Sequence, residues 1–374
     1  MRRPAWRGRI VFGPQGFVVF AVFVLLFAGA LYWLVRVRHT ALKVVAGAMA
    51  FPPAMMFGVA LVNNFYGYYE SWDDAWRDLT NQAPASVARV PDLGKRLDQV
   101  LQEAVRKRQA RKNGFAMQTT LSGPQSRISR QGVVYLPPQY FQKPYDGLRF
   151  PVIELIHGSP GTPGDYEGRL KISGMLRKLI SAHKARPVVL VIPDANGGLD
   201  RSTQCLNTVR GEQDETYLSI DVPDDVASRL RVERPGPAWG IAGFSEGGFC
   251  AANLALRHPD RYGAAASLSG YFEPMHTNRV PRPVDPFGGS RTLREANSPL
   301  KVLAKALPPA PLPHFWVMSG NAAQSDMVQA QAFMDLVKQY QPGAPFLVIK
   351  GGQHNYVAWR EAFPKMFEWA TSQV

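Results

Sequence analysis

Two stretches near the start of the chain run for nineteen residues each without a charged side chain, residues 17–35 and 44–62. At about 1.5 Å of rise per helical residue, each would cover roughly 28 Å, close to the ~30 Å hydrocarbon core of a bilayer. Tyr32 and Trp33 end the first stretch with rings of the kind that settle at a membrane–water boundary. The pattern predicts two transmembrane helices joined by a short loop. Pro52 and Pro53 interrupt the second, which membrane helices tolerate better than soluble ones. A buried or re-entrant apolar segment is the alternative there. A cleaved signal peptide fits the first stretch poorly, because the run is too long and Arg36 and Arg38 follow in place of a small-residue cleavage site.

From about residue 115 the pattern changes. Short apolar runs at 132–137, 151–156, 187–192, 239–243, 264–268, 315–319 and 345–350 are mostly bounded by Gly or Pro, as in strands buried on both faces. Helical patterns lie between them near 166–183, 223–231, 246–257, 326–340 and 356–372. This alternation predicts an α/β domain, a mostly parallel sheet flanked by helices, with its chemistry beyond the carboxyl ends of the strands. Between anchor and sheet, residues 65–76 read FYGYYESWDDAW, a polar-aromatic stretch suited to a membrane boundary. Residues 77–114 are basic and helix-prone, densest at Arg106-Lys107-Arg108 and Arg111-Lys112. The expected division is therefore an anchor over 1–64, a juxtamembrane connector over 65–114 and the sheet domain over 115–374.

Composition narrows the function classes. With 374 residues, 46% apolar and 19% charged, the chain is neither disordered nor a small stapled domain. Its 43 basic and 29 acidic residues leave a net +14, of which +6 falls in the first seventy residues, around the apolar runs. That location points to an anionic bilayer as partner rather than to nucleic acid, since the basic cluster lacks interleaved aromatic stacking platforms. Four arginines precede the first run, while Arg36, Arg38 and Lys43 lie between the two. Charge counting thus leaves both orientations open; a cytoplasmic loop would put the main domain outside. Two cysteines, Cys205 and Cys250, exclude a disulfide framework and a pair of CxxC zinc knuckles. No metal or organic cofactor is expected.

The sharpest motif is Gly243-Phe244-Ser245-Glu246-Gly247-Gly248, which follows an apolar strand and opens a helical pattern. That context makes G-x-S-x-G a nucleophile elbow, its glycines required because the serine sits in a strained, tight turn. A serine hydroxyl needs a base. Of seven histidines, His354 alone follows a late strand in a glycine-flanked loop, Gly351-Gly352-Gln353-His354-Asn355. The acid that orients it should fall between Ser and His in chain order and after a strand, which selects Asp326; Asp194 is a second choice, out of order. An oxyanion hole needs two backbone N–H donors. Glu246 would supply one; in His157-Gly158-Ser159-Pro160-Gly161, Pro160 has no N–H, so Ser159 or Gly158 must supply the other, and Ser159 is favoured. His157 is expected to fix this turn rather than accept the serine proton.

From residue 131 onward the chain resembles the α/β-hydrolase superfamily, and within it the putative-esterase group of esterase D-like enzymes, enterochelin esterase and mycolyltransferases. The resemblance rests on VYLPPQY (134–140), HGSPGTPGDY (157–166), GFSEGGFCAANLALRHPDRYGAAASLSG (243–270) and GGQHNYVAW (351–359). It implies an α/β-hydrolase fold and serine-ester chemistry without a cofactor. NNFYGYYESWDDAW after the two apolar runs is similar to a subgroup of membrane-anchored bacterial esterases, which implies a catalytic domain outside the cytoplasmic membrane and a Cys205–Cys250 disulfide. One departure stands out: the family usually places its acid two or three residues past a strand-end glycine, whereas Asp326 lies six past Gly320.

The expected protein is a membrane-anchored serine esterase acting on an ester, lipid-linked if anchoring guides the choice. Two rivals use the same pattern differently: an acyltransferase passing the acyl group to a sugar or lipid, and a non-catalytic envelope scaffold. The insertion at 271–313 carries pocket residues with no legible substrate code.

Overall fold

The computed structural model describes residues 13–80, 87–92, 102–103, 109–199, 201–275, 285–305 and 311–374. The chain divides into two compact units, Met1–Ala83 with Asn355–Val357, and Pro84–His354 with Ala358–Val374.

In the first unit, α1 (Phe17–Arg36) and α2 (Thr40–Tyr66) pack side by side, each long and apolar enough to cross a membrane. Phe20 meets Phe57 edge to face, while Ala46, Ala50 and Ala60 are buried. Small residues on such a face let two helices approach closely. Pro52 and Pro53 stay within α2. Gly67, with φ 68°, ends α2, and the Asn63 side chain accepts from Tyr69 N and donates to Tyr69 O, closing the turn. A short helix, α3 (Trp72–Leu79), follows with a reciprocal Ser71–Asp74 capping box.

The second unit is built on a sheet of nine strands among the described residues: β1 (Val87–Asp92), β2 (Phe115–Gly123), β3 (Ile128–Leu136), β4 (Val152–Ile156), β5 (Val189–Pro193), β6 (Gly236–Phe244), β7 (Tyr262–Leu268), β8 (His314–Gly320) and β9 (Phe346–Ile349). Their order is β1-β2-β3-β5-β4-β6-β7-β8-β9. From β5 to β9 all neighbours are parallel, whereas β2 and β3 form an antiparallel hairpin and β3 runs antiparallel to β5. The central strands VIELI and VLVIP are buried at every position, as strands covered on both faces must be. The flanking helices include α4 (Ile172–Ser181), α5 (Val222–Arg229), α6 (Glu246–Arg257), α7 (Gln324–Tyr340) and α8 (Tyr356–Gln373).

This is an α/β-hydrolase fold preceded by two apolar helices, and the seven strands expected from the sequence are all present. The hydrophobic pattern does not reveal β2 or β1. β2 alternates buried and half-buried positions instead of forming an apolar run, and β1 lies within the stretch read as connector. Arg106-Lys107-Arg108 and the insertion residues 276–284 and 306–310 lie outside the described residues.

The topology also locates the site. β4 sits between β5 and β6: the chain steps from β4 to β5 on one side, then crosses back past β4 to β6 on the other. A crevice opens where strand order reverses in this way, beyond the carboxyl ends of the strands. Here that crevice receives His157-Gly158-Ser159 after β4 and Ser245 after β6.

Candidate active site

Ser245 is the single residue between β6 and α6, with φ 58° and ψ −124°, a conformation side chains rarely adopt. Its amide donates to Leu268 O and its carbonyl accepts from Gly248 N, so hydrogen bonds on both sides hold the strained turn. The adjacent glycines are steric necessities. A Cβ on Gly247 would lie 1.9 Å from Ile156 O, and one on Gly243 would lie 2.3 Å from Gly247 O.

His354 Nε2 lies 2.9 Å from Ser245 Oγ, and its Nδ1 lies 2.5 Å from Asp326 Oδ2. A carboxylate accepts only, so Nδ1 carries the proton and Nε2 is left to accept from the serine hydroxyl. The Trp359 ring stands edge-on to the imidazole at 5.3 Å and is held by its own Nε1–H, donated to Ser269 Oγ. Two loops meet to bring Asp326 and His354 together. Gly351 N donates to Asn321 Oδ1 and Ala322 N to Gly352 O, at a point where a Cβ on Gly320 would lie 2.3 Å from Gly352 O. Asp326 then projects from the first turn of α7, which begins at Gln324. The longer spacing past Gly320 is therefore taken up by a loop pinned to its neighbour, with Asp326 carried by a helix rather than by the strand end.

Gly158 is pressed against the elbow, since a Cβ there would lie 3.0 Å from Ser245 Cβ and from the Phe244 ring. The turn after β4 thus packs directly against the serine elbow. His157 is fully buried, its Nδ1 facing Gly158 O at 2.8 Å and its Nε2 accepting from Ala195 N at 3.0 Å. Both ring nitrogens are thus engaged by backbone, as expected of a residue that fixes the turn. Asp194, the second choice for the acid, is engaged by Asn196 N and Gly197 N through Oδ1. Cys205 and Cys250 form a disulfide.

A family model described as Putative esterase matches residues 127–370, well over half of the chain. The chain belongs to this family. The chain is 27% identical over 249 residues to an uncharacterised protein of Corynebacterium glutamicum, covering 66% of this chain and 58% of that protein. It is 38% identical over 90 residues to the MPT51 antigen of Mycobacterium leprae, covering 24% of this chain and 29% of the antigen. The chain thus spans little more than half the length of one relative and less than a third of the other. Among solved structures, a ferulic acid esterase aligns with TM-score 0.60 at 20% identity, over 70% of this chain and 98% of that one. An S-formylglutathione hydrolase from Agrobacterium tumefaciens aligns with TM-score 0.55 at 16% identity, over 70% and 96%. At these identities the likeness is one of fold. Ester hydrolysis is the chemistry that membership of the esterase family supports.

This esterase-family site also carries side-chain contacts that no motif signals. The Glu246 side chain is buried, accepting from Ser202 Oγ and, at 3.3 Å, from Gln204 N; burial pushes its carboxyl above the usual range, against the pull of Ser202. Arg130 donates to the carbonyls of Asp194 and Ala195 and pairs with Asp214 at 2.7 Å, bracing the loop after β5 from behind. Burial raises Asp214 to about 6, with Arg130 opposing the shift. Their partners are 40 or more positions away in sequence, so no local pattern signals them.

Proposed function

We propose that this protein is a membrane-anchored serine esterase. The reading is carried by one observation, the hydrogen-bonded line from Ser245 Oγ through His354 to Asp326 at the mouth of the crevice. Ser245 Oγ attacks the ester carbonyl carbon while His354 Nε2 takes its proton, and Asp326 holds the resulting imidazolium. The carbonyl oxygen, now negative, accepts from the Ser159 and Glu246 amides. Collapse expels the alcohol, protonated by His354, and leaves an acyl-Ser245. Water activated by the same imidazole then releases the acid.

Membrane tethering would keep the site among lipid-linked esters, with α1 and α2 as spans and an anionic bilayer drawn to the basic flanks. The Cys205–Cys250 bond supports a catalytic domain outside the cytoplasm, where disulfides persist. Labelling with a fluorophosphonate probe tests the chemistry. The wild type should label stoichiometrically and hydrolyse short p-nitrophenyl esters, and Ser245→Ala should do neither. Absence of labelling in folded wild-type protein would falsify the reading. An ester panel including acyl and aminoacyl lipids, run with and without an alcohol acceptor, separates hydrolysis from acyl transfer.

A further inference from the structure

The two amides assigned to the oxyanion come from different strands, Ser159 after β4 and Glu246 after β6. Stabilisation depends on both lying about 2.7–3.1 Å from one developing oxygen. Backbone pairing of β4 with β6 aligns Ile156 with Gly243 but ends before either donor. Something beyond the strands must set their separation.

Both donor residues reach with their own side chains to one short segment of the loop after β5. Ser159 Oγ donates to Arg201 O at 3.0 Å. The Glu246 carboxyl takes Ser202 Oγ on one oxygen and Gln204 N on the other. The segment is itself secured at both ends. Upstream, Ala195 N donates to His157 Nε2, and Thr203 ties back through its amide to Asn196 Oδ1 and through its hydroxyl to Ala195 O. Downstream, Cys205 is bonded to Cys250, four residues beyond Glu246 on α6. The chain from 201 to 205 is thus a strut between the two halves of the hole.

Glu246 is the unusual member. Its side chain is buried at 4% exposure, directly after the nucleophile, where a carboxyl bears a desolvation cost that an apolar side chain of equal volume would avoid. What the carboxyl supplies, and an apolar group does not, is two acceptors facing the strut.

We propose that Glu246 is a positioning residue: its carboxyl, through Ser202 and Gln204, fixes the separation of the Ser159 and Glu246 amides. This rests on Ser245 being the nucleophile and goes beyond it by assigning a side chain to the geometry of the hole. Glu246 does not touch substrate. It acts through the strut, so its removal lowers turnover while leaving ground-state binding in place.

The test compares full-length wild type with Glu246→Ala, Glu246→Gln, Ser202→Ala, Ser159→Ala and the Glu246→Ala/Ser159→Ala double variant, all in detergent micelles. Active sites are counted by fluorophosphonate labelling, and kcat and KM are measured on p-nitrophenyl esters. Displacing catalytic groups by ~1 Å costs up to about 100-fold, so Glu246→Ala should lose on the order of 10- to 100-fold in kcat per labelled site, with KM within about threefold. Glu246→Gln, which keeps an acceptor for Gln204 and a partner for Ser202, should recover most of that loss. Ser202→Ala should fall between them. The double variant should lose less than the product of its single variants, since both cut the same strut. If Glu246→Ala does not fold, Glu246→Gln and Ser202→Ala decide alone. Wild-type kcat in Ser202→Ala, or a Glu246→Gln loss as large as that of Glu246→Ala, overturns the proposal. Wild type that neither labels nor hydrolyses overturns the esterase reading and this proposal with it, a result distinct from active wild type with indifferent variants.

Discussion

At the residue scale, the site separates groups that a motif announces from groups that only the fold can place. Asp326 belongs to both classes, since chain order selects it while its spacing past Gly320 departs from the family's habit. Its 2.5 Å contact with His354 Nδ1 gives a direct prediction. In Asp326→Asn the amide can offer an N–H to Nδ1, which favours the tautomer with the proton on Nε2 and removes the acceptor that Ser245 needs. By analogy with other triads, kcat should fall by about 10³–10⁴ with little change in KM. A loss below tenfold in steady-state kinetics would show that another group orients the imidazole. Ser245, His354 and the glycines around the elbow were legible in the sequence because their constraints are local: a turn of fixed geometry, flanked by a strand and a helix. The Glu246 carboxyl and Arg130 were not, because a buried charge declares itself only through partners brought in by folding.

At the element scale, sequence patterning succeeded where strands are buried on both faces and failed where they are not. β4, β5 and β7 read as apolar runs, while FAMQTTLSG of β2 alternates because one of its faces is less covered. β4 also contains an exception to its own pattern. Glu154 lies fully buried in mid-strand, accepting from Tyr262 Oη at 2.9 Å, and burial raises its carboxyl to about 8, against the Tyr262 hydrogen bond and Arg261. With the folded value above the ordinary 4.5, the neutral form is favoured in the fold. Its contribution to stability is complete below pH 4.5 and is lost as pH rises toward about 8. Glu154→Gln keeps an acceptor for Tyr262 and does not titrate. Melting temperature followed across that window should therefore fall more steeply for the wild type than for the variant. Parallel curves would mean that Glu154 is ionised throughout.

At the scale of the whole molecule, the chain joins an apolar helical pair to an esterase domain, and the net +14 is concentrated enough around the first to argue for a membrane address. Both native cysteines are bonded to each other. A single introduced thiol, Gln373→Cys, can therefore report on which side the carboxyl terminus lies. In intact cells a membrane-impermeant maleimide should modify it without lysis. Modification only after lysis would place the domain inside and remove the compartment argument for the disulfide.

The backbone of Ser245, at φ 58°, carries one more implication. Strain at such a position costs of order 1–3 kcal/mol, while the extra freedom of an unfolded glycine costs about 0.5–1. Ser245→Gly should then melt a few degrees above Ser245→Ala while both are inert, so calorimetry of the two dead proteins would measure how much fold stability is sacrificed to present a nucleophile. Selection for stability alone would drive this position toward glycine; under the proposed mechanism, what keeps the hydroxyl there is turnover.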